Sequence, residues 1–572
     1  MKLIFSKKID PQIPYIDYET LNLFIENKLY FNKKMISKLS DSFYKSVGIW
    51  HVEYFNTNFK TINWQYSQNS RIAAWYPYSL SPLLKFCIIL EIVKFYKLEK
   101  VTIIGSSKDT YDLFKEQIKN GNLSLINNQF NFYNHSLKKI IKIIYLFKKR
   151  VKEIFKLFLI FIVFIFQKKI KKSNKKYDLL FLTFDLNNTI QDHFYGDISK
   201  FKLKFKSKFN LFNINFKINN NENYSFNYIK WINLKDFSWL LFNLLSFIFI
   251  KKKIINPVIT INISKQQINS QLFPLNFTKE VISSSFILFE LIIYKSLLNF
   301  FKYNDVKNLV FPLENKPIEY SILNSVKNSN KQIKTHAYLH ANYSSGHLSI
   351  NNLLNYNKLF PNVFLSKNTY QQNRLINHYG WKPQLFELIG NLRRVNYSSR
   401  STSIVPNTIL FISGYGFELI EFSKWCVDLK DTLKNFTLVI KPYPFAWLDD
   451  QQIAFNNLKL NQVNFSINTD LIKSINNSSI ILFNSTSAGL ELLHSNKIII
   501  NLDIDNRYFI NPLKYLDNDN FLLKYSSSKN LKLFLENYLN NKHKTQTLLD
   551  QKKYYDLDKS DNLSMTYFFN LI

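Results

Sequence analysis

From about residue 300 onward, short apolar segments alternate with segments that have the composition of helices. TILFI, TLVIK, IILF and IIINL are apolar almost throughout, and polar stretches separate them. A strand that is apolar along its whole length is buried on both faces, and strands joined through helices run parallel. The pattern therefore predicts an α/β protein with parallel, doubly wound sheets, whose ligands bind beyond the carboxyl ends of the strands.

The predicted strands fall into two groups, so two Rossmann-like domains facing a cleft are expected. The first group includes KVTIIGS, YDLLFLTFD, LVFP and THAYLH, and the second follows SRSTSIVPN, which has the composition of a linker. At 572 residues the chain is too long for one ordinary core. We expect domains at 1–398 and 399–528, followed by a helical tail at 529–572.

Two apolar runs interrupt the first domain, IFKLFLIFIVFIF at 154–166 and SWLLFNLLSFIFI at 238–250. They lie in basic insertions at about 137–175 and 236–255. Each has about a dozen apolar residues, fewer than the roughly twenty needed to span a bilayer. One interpretation is a buried core helix; the other is a helix in the membrane interface, with its flanking lysines on anionic head groups. The repetition of the pattern favours the membrane interface.

The formal net charge of +34 indicates an anionic partner, such as lipid head groups or a phosphorylated substrate. Codon bias in an AT-rich genome explains the charge equally well, because Lys, Asn, Ile and Phe are abundant while Ala, Gly and Arg are scarce. No helix-turn-helix, RRM or zinc-finger pattern occurs, so nucleic acid is not predicted as a partner. Two distant cysteines, Cys87 and Cys426, and no signal-peptide run predict the reducing cytoplasm.

The strand ILF, which begins at Ile481, is followed by a turn crowded with small hydroxyl side chains. Ser485, Thr486 and Ser487 stand in this turn, and Glu491 lies four residues after Ser487, on the same face of the following helix. Free N–H groups at a helix N-terminus bind anions, and hydroxyls add donors. The Glu491 carboxylate would repel phosphate but could accept hydrogen bonds from ribose hydroxyls. The pattern predicts a site for a nucleotide diphosphate with its sugar; an ordinary capped helix is the alternative.

Two further strand ends add candidates for the same site. Lys441 ends the strand TLVIK, next to Pro442 and Pro444, and would supply a cation for phosphate. Gly414 and Gly416, in FISGYGFE, permit close approach of the backbone to a ligand. Taken alone, such a GxG more often marks a structural turn.

A KPYP strand followed later by a strand, a Ser/Thr-rich turn and a helix with Glu491 resembles the sugar-nucleotide half of GT-B-fold glycosyltransferases. The similar enzymes build bacterial surface polysaccharide and include sialyl- and Kdo-transferase-like proteins. The segments YGD, FPLENKPIE, HAYLHAN and SKNTYQQNRLINHYG…IGNLRR are similar to a surface-carbohydrate (O-antigen) biosynthesis family, over about residues 180–515. In the GT-B enzymes that the KPYP strand resembles, His usually stands between the two prolines and contacts the donor phosphate. This chain has Tyr443 there, so the contact falls to Lys441 or a Tyr hydroxyl.

The resemblance implies that 399–528 binds the nucleotide sugar and that 1–398 serves the acceptor. Inverting transfer needs a general base for the acceptor hydroxyl, and Glu314 and His340 are the candidates. A turn residue and a hydrogen-bonded core histidine, respectively, are the alternatives. Lys441 and the Ser485 turn would stabilise the leaving nucleotide without metal, so neither metal nor cofactor is expected.

The expected function is a metal-independent glycosyltransferase that transfers a sugar from a nucleotide-sugar donor to a lipid-linked or growing surface polysaccharide, such as O-antigen or capsule. It would be cytoplasmic and peripheral at the inner face of the cell membrane, with an anionic membrane surface as a partner. Two alternatives stay open: a CDP-polyol glycerophosphotransferase-like enzyme, and a non-catalytic membrane-associated scaffold.

Overall fold

The structure is a computed structural model of the 572-residue chain. It describes residues 15–17, 23–25, 28–30, 80–98, 101–106, 126–130, 151–152, 154–165, 174–184, 186–187, 191–192, 195–197, 199–214, 226–249, 259–263, 266–270, 287–313, 317–340, 359–367, 369–392, 406–414, 416–442, 448–468, 470–486, 489, 492, 497–504, 523–540 and 561–571.

The N-terminal sheet has five strands in the order β3-β2-β1-β4-β5. Strands β1, β4 and β5 run parallel to one another, whereas β2 pairs antiparallel with β1 and with β3. Helix α1 (Leu80–Phe95) precedes β4 and buries Cys87. The strands are β1 (Tyr15–Asp17), β2 (Leu23–Ile25), β3 (Lys28–Tyr30), β4 (Val101–Ser106) and β5 (Ile126–Phe130).

The central sheet has six strands in the order β10-β6-β13-β14-β15-β16. Numbered along the chain this order is 2-1-3-4-5-6, so the winding reverses beside β6, as in doubly wound folds. Strand β6 pairs in parallel with β10 and with β13, and β15 pairs in parallel with β16. The strands are β6 (Lys176–Thr183), β10 (Phe209–Asn213), β13 (Asp305–Pro312), β14 (Lys334–Leu339), β15 (Val363–Ser366) and β16 (Phe386–Leu388).

Helices connect the strands of the central sheet, as the alternating sequence predicts. Gly380 follows the last of them with a φ of +70°, and its N–H donates to the carbonyl of Ile376, so this glycine caps the C-terminus of the helix. The helices are α2 (Ser199–Phe205), α3 (Tyr228–Trp231), α4 (Leu234–Phe249), α5 (Ile287–Tyr303), α6 (Pro317–Asn328) and α7 (Thr369–Tyr379). Two small antiparallel sheets accompany them: β7 (Leu186–Asn187), β8 (Gln191–Asp192) and β9 (Gly196–Asp197), and the pair β11 (Ile259–Ile263) and β12 (Gln266–Ser270).

The C-terminal sheet also has six strands, in the order β19-β18-β17-β20-β21-β22, and each neighbouring pair is parallel. Numbered along the chain, this order is 3-2-1-4-5-6, the order of the Rossmann fold. The strands are β17 (Thr408–Ile412), β18 (Thr437–Lys441), β19 (Ser466–Ile467), β20 (Ile480–Phe483), β21 (Ile498–Leu502) and β22 (Leu523–Tyr525). The predicted α/β class with two Rossmann-like sheets is confirmed.

Both faces of the C-terminal sheet are buried at its inner strands β17, β20 and β21. Along β17, Ile409 and Phe411 belong to one apolar cluster, and Leu410 and Ile412 belong to another. This explains why the strands of this sheet are apolar at consecutive positions and do not alternate. The helices are α8 (Gly416–Asp428), α9 (Lys430–Leu433), α10 (Leu448–Leu460), α11 (Leu471–Asn477), α12 (Ser528–Leu539) and α13 (Asp561–Asn570).

The two Lys-flanked apolar runs bury only one face each. Residues 151–152 and 154–165 are helical, and Leu157 is the buried one among them. Helix α4 contains the described part of the second run; it buries Leu240 and Leu244 and exposes Leu241 and Phe242. Within the part of the chain that the structure describes, no helix combines the length and the hydropathy needed to cross a membrane.

Candidate functional site

The carboxyl ends of β17 and β20 lie side by side at the point where the winding of the C-terminal sheet reverses. Crossovers leave this point toward opposite faces of the sheet, so it is the place where doubly wound folds bind ligands. The register aligns Ile412 with Lys441 on one side and with Phe483 on the other. The segments after these three residues therefore leave the same edge of the sheet, with neighbouring strands about 5 Å apart.

A buried carboxylate joins the two segments at this edge. Glu418, the third residue of α8, is fully buried and reaches back to accept the Gly414 N–H at 2.7 Å. Its second oxygen accepts the hydroxyl hydrogen of Ser485, from the segment after β20. A glutamate that reaches back at the start of a helix satisfies an otherwise unpaired N–H, and its charge suits the positive end of the helix. Two of the sequence-predicted site residues, Gly414 and Ser485, are thus brought together.

Gly414 is required at this position because of space. A Cβ built there would lie 2.6 Å from the Ser485 Oγ, 3.1 Å from a Glu418 carboxylate oxygen and 3.2 Å from the Thr486 backbone nitrogen. Among the described residues, the glycines with positive φ are Gly380 and Gly390, so Gly414 has no left-handed backbone to accommodate. The close contact that Gly414 permits is with the Ser485 turn; the close approach of its backbone to a ligand stays a prediction.

The Ser485 turn is held from its other end by Gly489. The N–H of Gly489 donates to the Thr486 carbonyl at 3.2 Å. A Cβ at Gly489 would collide with the ring of Phe483, the last residue of β20. The absent side chain therefore lets the chain return over the strand end, which keeps the turn tight.

Lys441 ends β18 at the level of Ile412, as the sequence predicts. Its side chain is half-buried, its ammonium donates to the Pro442 carbonyl at 3.1 Å, and burial lowers the pKa of this lysine below its usual value. A partly desolvated cation one strand away from β17 is suited to an anionic group bound at this edge.

Asn484 is a buried polar residue at the same edge. It follows β20 directly, it is fully buried, and neither polar atom of its side chain has a hydrogen-bond partner. The neighbouring Asn501 on β21 donates to the Asn484 carbonyl at 2.7 Å, but its own side-chain oxygen is also without a partner. Buried polar atoms are nearly always paired, so a cluster of unpaired ones marks a place where the fold accepts a cost in stability.

In the central sheet, the two histidines of β14 differ in environment. His336 is fully buried, and its Nε2 lies 3.2 Å from the Asn308 side-chain oxygen. Burial lowers the pKa of His336 to about 4, with a contribution from Lys334. His340 follows the carboxyl end of β14, partly exposed, and its N–H donates to the Tyr338 carbonyl at 3.1 Å. A structural role for His336 fits its burial.

Several predicted residues lie outside the described part of the chain. Gly416 does lie within the described part, as the first residue of helix α8. Leu313 is the last described residue before the candidate base Glu314, and it follows β13. The sequence-predicted residues outside the described ranges are Glu314, Tyr443, Ser487 and Glu491.

Two residues of the site, Glu418 and Asn484, are not among the site residues predicted from the sequence. The sequence signal that could have identified Glu418 is an acidic residue in the first turn of the helix that follows Gly414. Asn484 has another, a polar side chain directly after a wholly apolar strand. Among the described residues, no group of three His, Cys, Asp or Glu side chains is close enough to hold a metal ion.

No sequence-family model matches the chain, and no curated protein matches it. The chain is similar to solved structures at low identity. The match to TarM is 10% identical with a TM-score of 0.35, and it covers 49% of this chain but only 58% of TarM. The match to UDP-GlcNAc 2-epimerase from Neisseria meningitidis, solved with UDP-GlcNAc, is 11% identical with a TM-score of 0.42, over 69% of this chain and 99% of the epimerase.

A third similar structure is the wall teichoic acid polymerase TagF, 11% identical with a TM-score of 0.36, over 75% of this chain and 97% of TagF. At such TM-scores these likenesses carry no argument about activity. The fold class rests on the strand orders of this chain's own sheets.

Proposed function

We propose that this chain is a glycosyltransferase whose C-terminal sheet binds a nucleotide-sugar donor. The observation on which the proposal depends is the contact of Gly414 with Ser485 at the winding reversal of a 3-2-1-4-5-6 sheet, with the half-buried Lys441 on the next strand. Doubly wound sheets bind nucleotides at this point. The close approach of the Gly414 backbone to the Ser485 turn and the nearby Lys441 cation suit the binding of a diphosphate.

The roles within the site follow from the hydrogen bonds. Because Ser485 gives its hydroxyl hydrogen to Glu418, its oxygen is oriented to accept from a ligand. Phosphate needs hydrogen-bond donors, so we assign its binding to Lys441, Thr486 and Ser487, with Tyr443 as an additional donor. Glu491 is proposed for the ribose hydroxyls. Gly414 leaves room for the backbone of the turn, and Gly416 is proposed to let the backbone approach the donor.

On the acceptor side, we propose Glu314 or His340 as the general base. Both follow carboxyl ends of central-sheet strands, β13 and β14, which are neighbours in the sheet. A carboxylate or a neutral imidazole can deprotonate an acceptor hydroxyl. The proposed domains are 1–398 for the acceptor and 399–528 for the donor, with the tail at 529–572.

The acceptor and the cellular location can be proposed more specifically. We propose a lipid-linked or growing surface polysaccharide, such as O-antigen or capsule, as acceptor, and transfer without a metal ion. The protein would be cytoplasmic and peripheral at the inner face of the cell membrane, on an anionic surface. The Lys-flanked apolar helices support this location.

Purified protein should be tested by thermal shift and by turnover with UDP-, GDP- and CMP-linked sugars and with CDP-glycerol, with and without EDTA. We expect a nucleotide sugar to raise the melting temperature and to be turned over in EDTA. Turnover of CDP-glycerol alone would favour the glycerophosphotransferase alternative. Absence of binding and turnover with every donor would favour a scaffold.

A matched pair of variants tests the role of Lys441. Lys441→Met should weaken donor binding by roughly tenfold to a hundredfold, because a hydrogen bond to a charged group contributes about 1.5–3 kcal/mol. Lys459→Met removes an exposed lysine of α10 and should leave binding unchanged. Equal donor affinity in both variants would remove Lys441 from the site.

A further inference from the structure

The helix at 154–165 presents an apolar face to solvent. Its exposed apolar side chains, each about half exposed, lie on the side of the helix opposite the buried Leu157. They are Phe155, Phe158, Leu159, Val163 and Ile165, with Val151 one turn before them. Single exposed apolar residues are ordinary, but a contiguous face of them on one helix marks an interaction surface.

Helix α4 packs beside this helix and adds a second apolar face. The ring of Phe237 contacts the rings of Phe161 and Phe164, with centroids 5.1 Å and 5.2 Å apart. Beyond this contact, α4 exposes Leu241 and, at 71%, Phe242.

Polar contacts fix α4 in this position. Asp236, buried in its first turn, accepts from the Asn233 N–H at 2.8 Å and from the Asn299 side chain of α5, also at 2.8 Å. Lys295 of α5 lies 3.8 Å from the same carboxylate and 4.2 Å from the centre of the Trp239 ring. The exposed face of α4 is therefore held outward by a packed core on its other side.

The exposed charged side chains that the structure describes on these helices are all lysines. Among their exposed described residues the charged ones are Lys152, Lys156 and Lys235, and the acidic Asp236 is turned inward. The sequence places KKR before the first run, KKIKK after it and KKK after the second. Helix α4 has 16 residues, about 24 Å in length, less than the roughly 30 Å of a bilayer's hydrocarbon.

We infer that these two apolar faces, those of residues 151–165 and of α4, bind an anionic phospholipid bilayer by lying in its interface. Aromatic and aliphatic side chains with lysines alongside are the composition that inserts among acyl chains while the ammonium groups meet head-group phosphates. A second copy of the chain would cover the apolar residues but would bring its own lysines against these, so like charges oppose that occupant. This inference names the membrane contact of the proposed enzyme, but it does not depend on the donor site.

Cosedimentation with phosphatidylcholine vesicles, with and without phosphatidylglycerol, tests the inference on the full chain. We expect binding at low salt to the anionic vesicles, reduced by added salt because exposed charges are screened. The double variant Phe158→Ser with Phe242→Ser, both exposed side chains, should bind about tenfold or more weakly, because each Phe loses its apolar burial. Leu460→Ser, at a residue 83% exposed on α10, is the matched control and should bind like the wild type.

A second variant separates charge from apolar insertion. Reversing Lys152, Lys156 and Lys235 to Glu should weaken the preference for anionic vesicles while the melting temperature stays that of the wild type. The inference is overturned if the wild type stays in the supernatant at low salt, or if the double Phe variant binds as well as the wild type. Concentration-dependent self-association that the double Phe variant loses, without vesicle binding, would instead assign the face to a second copy. Neither result depends on nucleotide-sugar turnover.

Discussion

Ser485 and Glu418 are 67 residues apart in sequence, yet the Ser485 hydroxyl donates its hydrogen to the buried Glu418 carboxylate. The same carboxylate accepts the Gly414 N–H. One side chain therefore ties the segment after β17, the start of α8 and the turn after β20 into a single unit. The relative position of these segments determines the shape of the proposed donor site.

Replacing this carboxylate should destabilise the C-terminal sheet. We expect Glu418→Ala to lower the free energy of unfolding by about 1–3 kcal/mol for each buried donor left unpaired, and Glu418→Gln to lower it less. Urea unfolding measures this difference. Glu421→Gln is the control, because Glu421 lies one turn further along α8 in an exposed ion pair with Lys424 at 2.6 Å. That change should stay within about 0.5 kcal/mol, and an equal loss in both variants would contradict the prediction.

Gly414 and Gly380 are predicted to respond differently to alanine, because one lacks space and the other has a left-handed backbone. Gly414→Ala places a Cβ 2.6 Å from the Ser485 Oγ, so we expect a loss of about 1–3 kcal/mol and weaker donor binding. Gly380→Ala meets nothing within 4 Å and should cost about 1 kcal/mol through its φ of +70°, without affecting donor binding. Urea unfolding and donor titration of both variants check this. Unchanged donor binding in Gly414→Ala would contradict the assignment.

Asn484 should stabilise the protein when it is made apolar. Its two side-chain polar atoms are buried without partners, so Asn484→Leu removes a desolvation cost of about 1–3 kcal/mol, less any strain from the different shape. We expect the melting temperature without ligand to rise and the thermal shift produced by donor to shrink. Asn457→Leu is a useful contrast, because Asn457 donates to Ser423 at 2.9 Å and its loss should destabilise. A stabilised Asn484→Leu that retains the full donor shift would show that the residue has no binding role.

The apolar strands make the fold class predictable from sequence. Strands such as IILF and IIINL are apolar at consecutive positions because the C-terminal sheet is covered on both faces, and that signal is local. Gly414, Lys441 and Ser485 are predictable because each lies at or just beyond the end of such a strand. Glu418 is not, since its role comes from a contact with Ser485, which only the strand order brings close. Similarly, the sequence of the 154–166 run is the same whether the helix is core or surface, and tertiary packing, including the contacts of Phe161 and Phe164 with Phe237, decides which face is buried.

Acid should destabilise the folded protein through His336. Burial lowers the pKa of this histidine to about 4 from 6.5, so between these pH values the unfolded chain binds more protons than the folded chain. The free energy of unfolding should therefore fall as pH drops from 6.5 to 4, by up to about 3 kcal/mol from this residue. His336→Gln does not titrate and can still donate to the Asn308 oxygen. Urea unfolding across this pH range should give a flatter dependence for His336→Gln than for the wild type, with a constant difference above pH 6.5. Parallel curves throughout would mean that His336 is not the group that titrates.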